Sequence, residues 1–211
     1  MKRFRTVLLG ALVLSSLLHA APPAEQPSPA PRLNLWNGKD TSGWTFIARP
    51  GVAPTYAIHD GVLASNKSVG YLRTTAKYAN YHLHLEWRWP AKVGNSGVLV
   101  HLTGDDVVWP DCIQCQIKGA ATGDLLGMKG YDFKKPLVNG NQLAARTGAP
   151  AEKPVGEWNT YDITCRGDTI DLVVNGVPEN HLEKLPVSSG FIALQMEGPA
   201  VEFRNVWLQL L

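Results

Sequence analysis

Tyr81-His82-Leu83-His84-Leu85-Glu86-Trp87-Arg88-Trp89 is the stretch whose period decides the fold. Successive side chains of a β-strand point to opposite faces. Tyr81, Leu83, Leu85, Trp87 and Trp89 therefore make one apolar face, and His82, His84, Glu86 and Arg88 the other. The pattern recurs downstream. Val98, Val100 and Leu102 alternate with Leu99 and His101. Ile113, Cys115 and Ile117 alternate with Cys112, Gln114, Gln116 and Lys118. Ile163 with Cys165, then Ile170 with Leu172 and Val174, continue the series. Asp60-Gly61 and Asn175-Gly176 are strong two-residue hairpin turns. No convincing helical period follows residue 20. Many short strands with regular turns predict an all-β fold, an antiparallel sandwich or barrel.

The same alternation selects candidate site residues. In Gly190 to Gly198, Phe191, Ala193, Gln195 and Glu197 share one face, and Ile192, Leu194 and Met196 the other. A carboxylate beside an amide can orient a hydroxylated ligand or move a proton. Glu197 ends an apolar strand just before Gly198, where a charge has no packing role, so it is the first candidate for acid–base work. Gln114 and Gln116 offer both donors and acceptors, which sugar hydroxyls require; such a pair also serves solubility on a bare surface. Trp109, beside Pro110 in a loop, is a candidate stacking platform. Trp87, Trp89 and Trp207 are assigned to the core.

His82 and His84 read as the solvated outer face of a half-buried sheet rather than as metal ligands. Glu86 and Arg88 lie nearer the Asn95 turn and are either a surface ion pair or a site pair. His101 is a lone strand histidine, structural by default and functional by its neighbours. Ser96, within Gly94-Asn95-Ser96-Gly97, shapes a turn rather than serving as a nucleophile. The chain carries no G-x-S-x-G, P-loop, dinucleotide fingerprint or H-E-x-x-H. Residues 118–156 are rich in Gly, Lys, Ala and Pro with little alternation, and a loop that long is usually functional. Glu86, Arg88, His101, Gln114, Gln116 and Glu197 are expected to line one concave surface, partly roofed by residues 118–156.

The ends and the cysteines bound the setting. Lys2, Arg3 and Arg5 precede a short apolar run, Val7 to Leu18, and Leu18-His19-Ala20 fits a cleavage site. Residues 1–20 thus read as a signal peptide, too short to span a membrane. No Cys follows to accept a lipid, so no stable membrane anchor is expected after processing. Residues 21–31 form a Pro-rich linker. Loss of the three leader cations takes the formal charge from +2 to −1, which leaves no basic cluster for nucleic acid. A periplasmic or secreted location follows. Export permits a disulfide; Cys115 with Cys165 is one possibility. Cys112 and Cys115 fall on opposite strand faces and are not expected to pair.

Leu33 to Trp44, Asp60-Gly61, Leu85 to Arg88, Gly94 to Gly97, Gly156 to Tyr161, Val174 to Gly176, and Leu194 to Gly198 followed by Glu202 to Asn205 together resemble the 3-keto-disaccharide hydrolase domain family. The resemblance covers residues 32–211. It implies a concanavalin-like two-sheet antiparallel jelly-roll sandwich, export from bacterial cells, and action on sugars oxidised at C3. A C3 ketone acidifies the C2 proton. A base removes it, an enolate forms, the C1 substituent leaves, and water adds back.

On this resemblance, Glu197 or Glu86 is the base. Arg88, or a divalent metal ion held by a carboxylate and His101, steadies the enolate. His101 is the acid, and Asn95, Trp109, Gln114, Gln116 and Gln195 bind the substrate. Many members carry Glu where this chain has Gln114. That departure leaves three alternatives: base work by Glu86 or Glu197, a different substrate, or no activity. Two other classes remain open. One is a non-catalytic carbohydrate-binding module on the same sandwich. The other is an ordinary glycosidase with Glu86 and Glu197 as its carboxylate pair.

Overall fold

A computed structural model describes residues 30–66 and 69–211. The predicted signal peptide, and the linker up to residue 29, lie outside the described residues. The strands run, in chain order, β1 (Arg32–Asn34), β2 (Trp44–Ala48), β3 (Tyr56–His59), β4 (Val62–Ser65), β5 (Val69–Thr74), β6 (Tyr78–Ala79), β7 (Tyr81–Arg88), β8 (Ser96–Thr103) and β9 (Asp111–Ile117). Then follow β10 (Leu125–Met128), β11 (Leu137–Val138), β12 (Asn141–Ala144), β13 (Asn159–Arg166), β14 (Thr169–Val174), β15 (Val177–Leu182), β16 (Ser189–Glu197) and β17 (Glu202–Leu210). Among the described residues the helical content is a single 3-10 turn, Gly119–Ala121.

The strands form two antiparallel sheets packed face to face, the concanavalin-like jelly roll. One has the order β15-β14-β13-β7-β17-β4-β3, with β1 added to β17. The other has the order β11-β12-β10-β9-β8-β16-β5-β2, with β6 added to β16. Strand β7 behaves as its period requires. Tyr81, Leu83, Leu85 and Trp87 are fully buried, while His82, His84, Glu86 and Arg88 are partly exposed. Val98, Val100, Ile113, Cys115, Ile117, Ile192, Leu194 and Met196 cover them from the second sheet. Full burial of one such side chain contributes about 1.5–3 kcal/mol. Both predicted hairpin turns form. Asp60-Gly61 and Asn175-Gly176 take φ of 50°, 78°, 50° and 81°, the left-handed pair that a tight hairpin needs.

Three expectations need correction. Residues 118–156 are not one long loop: β10 pairs with β9, β12 with β10 and β11 with β12, so three short strands of the segment extend the second sheet. Trp207 is not a core residue. A register shift between Arg204 and Trp207, with Asn205 at φ 52°, turns its ring outward. There it stacks on His84 at 4.9 Å beneath the guanidinium of Arg32. Cys115 and Cys165 are both free, as is Cys112. Cys112 packs with Leu99 and Met128 on one face of the second sheet, and Cys115 lies in the core beneath the other.

Candidate active site

The outward face of the second sheet carries the amides. Pairing aligns Gln116 with Gly97, Gln114 with Leu99, Ala193 with Leu99, and Gln195 with Tyr71. Three neighbouring strands, β9, β8 and β16, thereby bring Gln114, Gln116 and Gln195 side by side, although they lie up to 81 residues apart. Gly97 makes this possible. A Cβ there would stand 2.8 Å from Gln114 Cγ and 2.9 Å from its Nε2. The absent side chain is the space the Gln114 amide occupies.

A chain of hydrogen bonds runs through the cluster. Gln114 Nε2 donates to Gln195 Oε1 at 3.0 Å and also to Gln116 Oε1. Gln195 Nε2 donates to Glu197 Oε2 at 3.0 Å, and Asn95 Nδ2 to the same oxygen at 2.8 Å. An isolated bridge between Asn95 and Glu197 fixes the backbone beneath them. The fixed donors converge on Oε2 and hold the carboxyl in one orientation. Burial raises the Glu197 pKa above the ordinary carboxylate value, against the Asn95 bond and the Lys118 charge that lower it. A carboxyl so placed can take and return a proton closer to neutral pH than a free one.

These residues line a groove of about 710 Å³, together with Trp109, Lys118, Asp124 and residues of β10 and β12. Asn95, Trp109, Gln114, Gln116, Gln195 and Glu197 are thus brought together. Lys118, Asp124, Asn139 and Asn141 were missed by the sequence reading. Lys118 continues the period of Gln114 and Gln116 by one step, and that signal was available. The other three stand among short edge segments whose alternation is too brief to read.

Glu86, Arg88 and His101 are not brought to this groove. Glu86 and Arg88 point outward from the first sheet, since Leu85 and Trp87 between them fill the core. The two carboxylates Glu86 and Glu197 therefore occupy opposite outer faces of the sandwich. Glu86 accepts from Arg204 Nε and Asn205 Nδ2, each at 2.6 Å. Burial opposes the shift, yet these two donors outweigh it and lower the Glu86 pKa. Arg88 donates to Glu202 at 2.6 Å. Both are ion pairs of the outer face, with Glu202 itself buried, and Glu86→Gln, at the more open pair, should cost about 1 kcal/mol. That cost should fade as pH falls through the carboxyl range, because a lowered native pKa lends stability only while the group is ionised. Turnover measured beside melting temperature checks this: kcat is expected to stay within twofold.

His101 moves for a different reason. Register shifts in β8 and β16 mark a bulge, and His101 sits in it at φ 51°. The bulge resets the alternation, so Leu102 joins Leu99 on the outward face and His101 turns inward. Its ring lies edge-on to the core residue Tyr81, 6.4 Å between centroids, and burial lowers its pKa. The donor set imagined for a divalent ion is therefore not assembled around His101. Among the described residues, no three His, Cys, Asp or Glu side chains gather to hold one. His82 and His84 instead both bond Asp162 Oδ1, at 2.9 and 2.8 Å.

The family model of the 3-keto-alpha-glucoside-1,2-lyase-like domain matches residues 32–209. Among solved structures, two candidate glycosyl hydrolases from Parabacteroides distasonis ATCC 8503 are similar. One has TM-score 0.65 and 19% identity, covering 85% of this chain and 94% of its own. The other has TM-score 0.64 and 23% identity, covering 86% and 100%. The carbohydrate-binding module CBM66 from Bacillus subtilis matches with TM-score 0.55 and 13% identity, covering 78% and 93%. At such identities these likenesses establish the fold. No curated protein sequence matches the chain.

Proposed function

Because the chain belongs to the 3-keto-alpha-glucoside-1,2-lyase-like domain family, a carbohydrate-active family, we propose that it cleaves 3-keto-glycosides by removing the C2 proton and expelling the C1 substituent. The observation that carries this reading is Glu197, the carboxyl at the head of an amide chain, with its proton affinity raised by burial. Elimination needs one such base. Displacement at C1 in an ordinary glycosidase needs two carboxyl groups across one bond; the expected partner Glu86 lies on the far face, and the groove's other carboxylate, Asp124, accepts from the Arg146 backbone N–H. The sugar's hydroxyls meet Asn95, Gln114, Gln116 and Gln195, and a ring face meets Trp109. Lys118, the groove cation that acts on Glu197, is assigned to the C3 oxygen as enolate charge develops there, the role that Arg88 cannot fill from the opposite sheet.

The proton balance is simple. Glu197 takes the C2 proton, the C2–H electrons form the C1=C2 bond, and the C1–O bond breaks. The leaving oxygen takes a proton, returned by Glu197 or from water. Water then adds its hydroxyl to C1 and a proton to C2, so the sum is hydrolysis. Export to the periplasm or medium is part of this proposal and rests on the pattern of residues 1–20. The mature protein should release product from a 3-keto-glucoside and none from the same glucoside unoxidised. Cleavage of neither, together with binding of both, would establish the carbohydrate-binding module instead. A parallel reaction with a chelator tests metal dependence.

A further inference from the structure

Beyond Trp109 lies a second hollow of about 400 Å³. Trp109 and Lys129 line both spaces, so the two adjoin. The hollow is built from two loops. One follows β2, whose last residue Ala48 also lines the hollow, and contributes Arg49 and Pro50; the other joins β8 to β9 and contributes Asp106, Val107 and Val108. Tyr71, the register partner of Gln195, donates its hydroxyl to the Val107 carbonyl at 2.9 Å. That bond folds the second loop back over the sheet, beside the amide cluster. Beneath it lies an apolar floor that includes Ile47, Tyr71, Leu99, Leu102 and Ala193.

The chemistry changes across Trp109. On the Glu197 side, amides, Lys118 and Asp124 offer a donor or acceptor at every turn. On the far side, Ala48, Pro50, Val107 and Val108 offer none from their side chains, and the charged groups there are Arg49, Asp106 and Lys129. Asp106 is engaged by Arg73 at 3.4 Å, and Arg73 itself lies over the Phe191 ring at 3.8 Å. Val107 and Trp109 stand 38% and 37% exposed, large apolar side chains left open to a ligand. A second sugar placed there would find partners only at Arg49, Asp106 and Lys129, and the hydroxyls facing the Ala48, Pro50, Val107 and Val108 wall would go without. A flat apolar ring would lose nothing and would cover exposed apolar surface.

We propose that the hollow beyond Trp109 is the site for the leaving group, and that it selects aglycones bearing an apolar ring over a second sugar. The inference rests on the reading of the groove as a keto-glycoside-cleaving site. On that reading the C1–O bond breaks with the ketosugar held by the amides and the aglycone seated between Trp109 and Val107, and the departing oxygen takes its proton as described above.

The test compares kcat/KM for 2-phenylethyl and methyl 3-keto-glucosides, whose leaving alcohols differ little in acidity, and for a 3-keto-disaccharide. The mature chain should favour the phenylethyl substrate at least tenfold over both others. Val107→Asp and Val108→Asp should each cut the phenylethyl-to-methyl ratio at least tenfold, with melting temperatures confirming that both variants are folded. Equal rates on all three substrates, or a preference that survives both substitutions, would overturn the hollow's role and leave the keto-glycoside reading standing. Cleavage of none of the three would overturn that reading and this inference with it.

Discussion

Glu197→Gln should lower kcat on a 3-keto-glucoside by about 10²- to 10⁴-fold, the usual contribution of a general base, and should leave the fold intact. The amide keeps size and keeps an acceptor oxygen for Asn95 Nδ2 and Gln195 Nε2. It removes only the basic oxygen. The sign of the stability effect follows from the raised native pKa. The native state holds its Glu197 proton to higher pH than the unfolded chain does. Stability therefore falls as pH rises between the two values, and the ionised group is a net cost at neutral pH. The variant's melting temperature at pH 7 should equal or exceed that of the parent. In the parent, the acid limb of kcat/KM should lie above the ordinary carboxylate range, since the base must be ionised to act. A variant that melts early yet turns over normally would make Glu197 a structural residue.

Gly97→Ala is the second large effect. The new methyl would meet Gln114 Cγ at 2.8 Å, its Nε2 at 2.9 Å and the Cys115 carbonyl at 3.0 Å. Backbone cannot yield as readily as a side chain, so the Gln114 amide is displaced. Gln195 Oε1 then loses its donor in a buried setting, which costs about 1–3 kcal/mol. For a chain of this size that cost corresponds to a fall of roughly 2–10 °C in Tm. Gln195 in turn holds Glu197, so freeing it loosens the base. We expect kcat to fall about 10- to 100-fold, consistent with a displacement of about 1 Å near the reacting atoms. Calorimetry beside single-substrate kinetics separates the two losses. A drop in Tm with unchanged kcat would show that the amide chain supports the sheet and not the chemistry.

The fold was legible because strand faces declare themselves by period. Tyr81 to Arg88 alternates in the structure as it does in the sequence, and the Asp60-Gly61 and Asn175-Gly176 turns follow from backbone preference alone. Gln114, Gln116, Gln195 and Glu197 were legible for the same reason, since each stands out of phase with an apolar run. Period does not say which sheet a strand joins. Glu86 and Glu197 are both outward residues, but of opposite sheets, and only strand order reveals this. Nor does period survive a bulge. One extra residue at His101 carried an imidazole into the core, and one at Asn205 carried Trp207 out of it. In residues 118–156 the strands run four residues or fewer. Alternation that short is indistinguishable from a loop, which is why the groove wall was hidden.

The central claim is that the bond to C1 is broken by way of a carbanion at C2. Reaction of a 3-keto-glucoside in D2O tests it most directly, with mass and NMR analysis of the released 3-keto sugar at early times against a protein-free control. The account predicts one solvent deuterium at C2 in each product molecule, because the C2 proton leaves with the base and a solvent proton returns when water adds. Release of 3-keto sugar that retains its original hydrogen at C2 would contradict it and would place the chemistry at C1 alone.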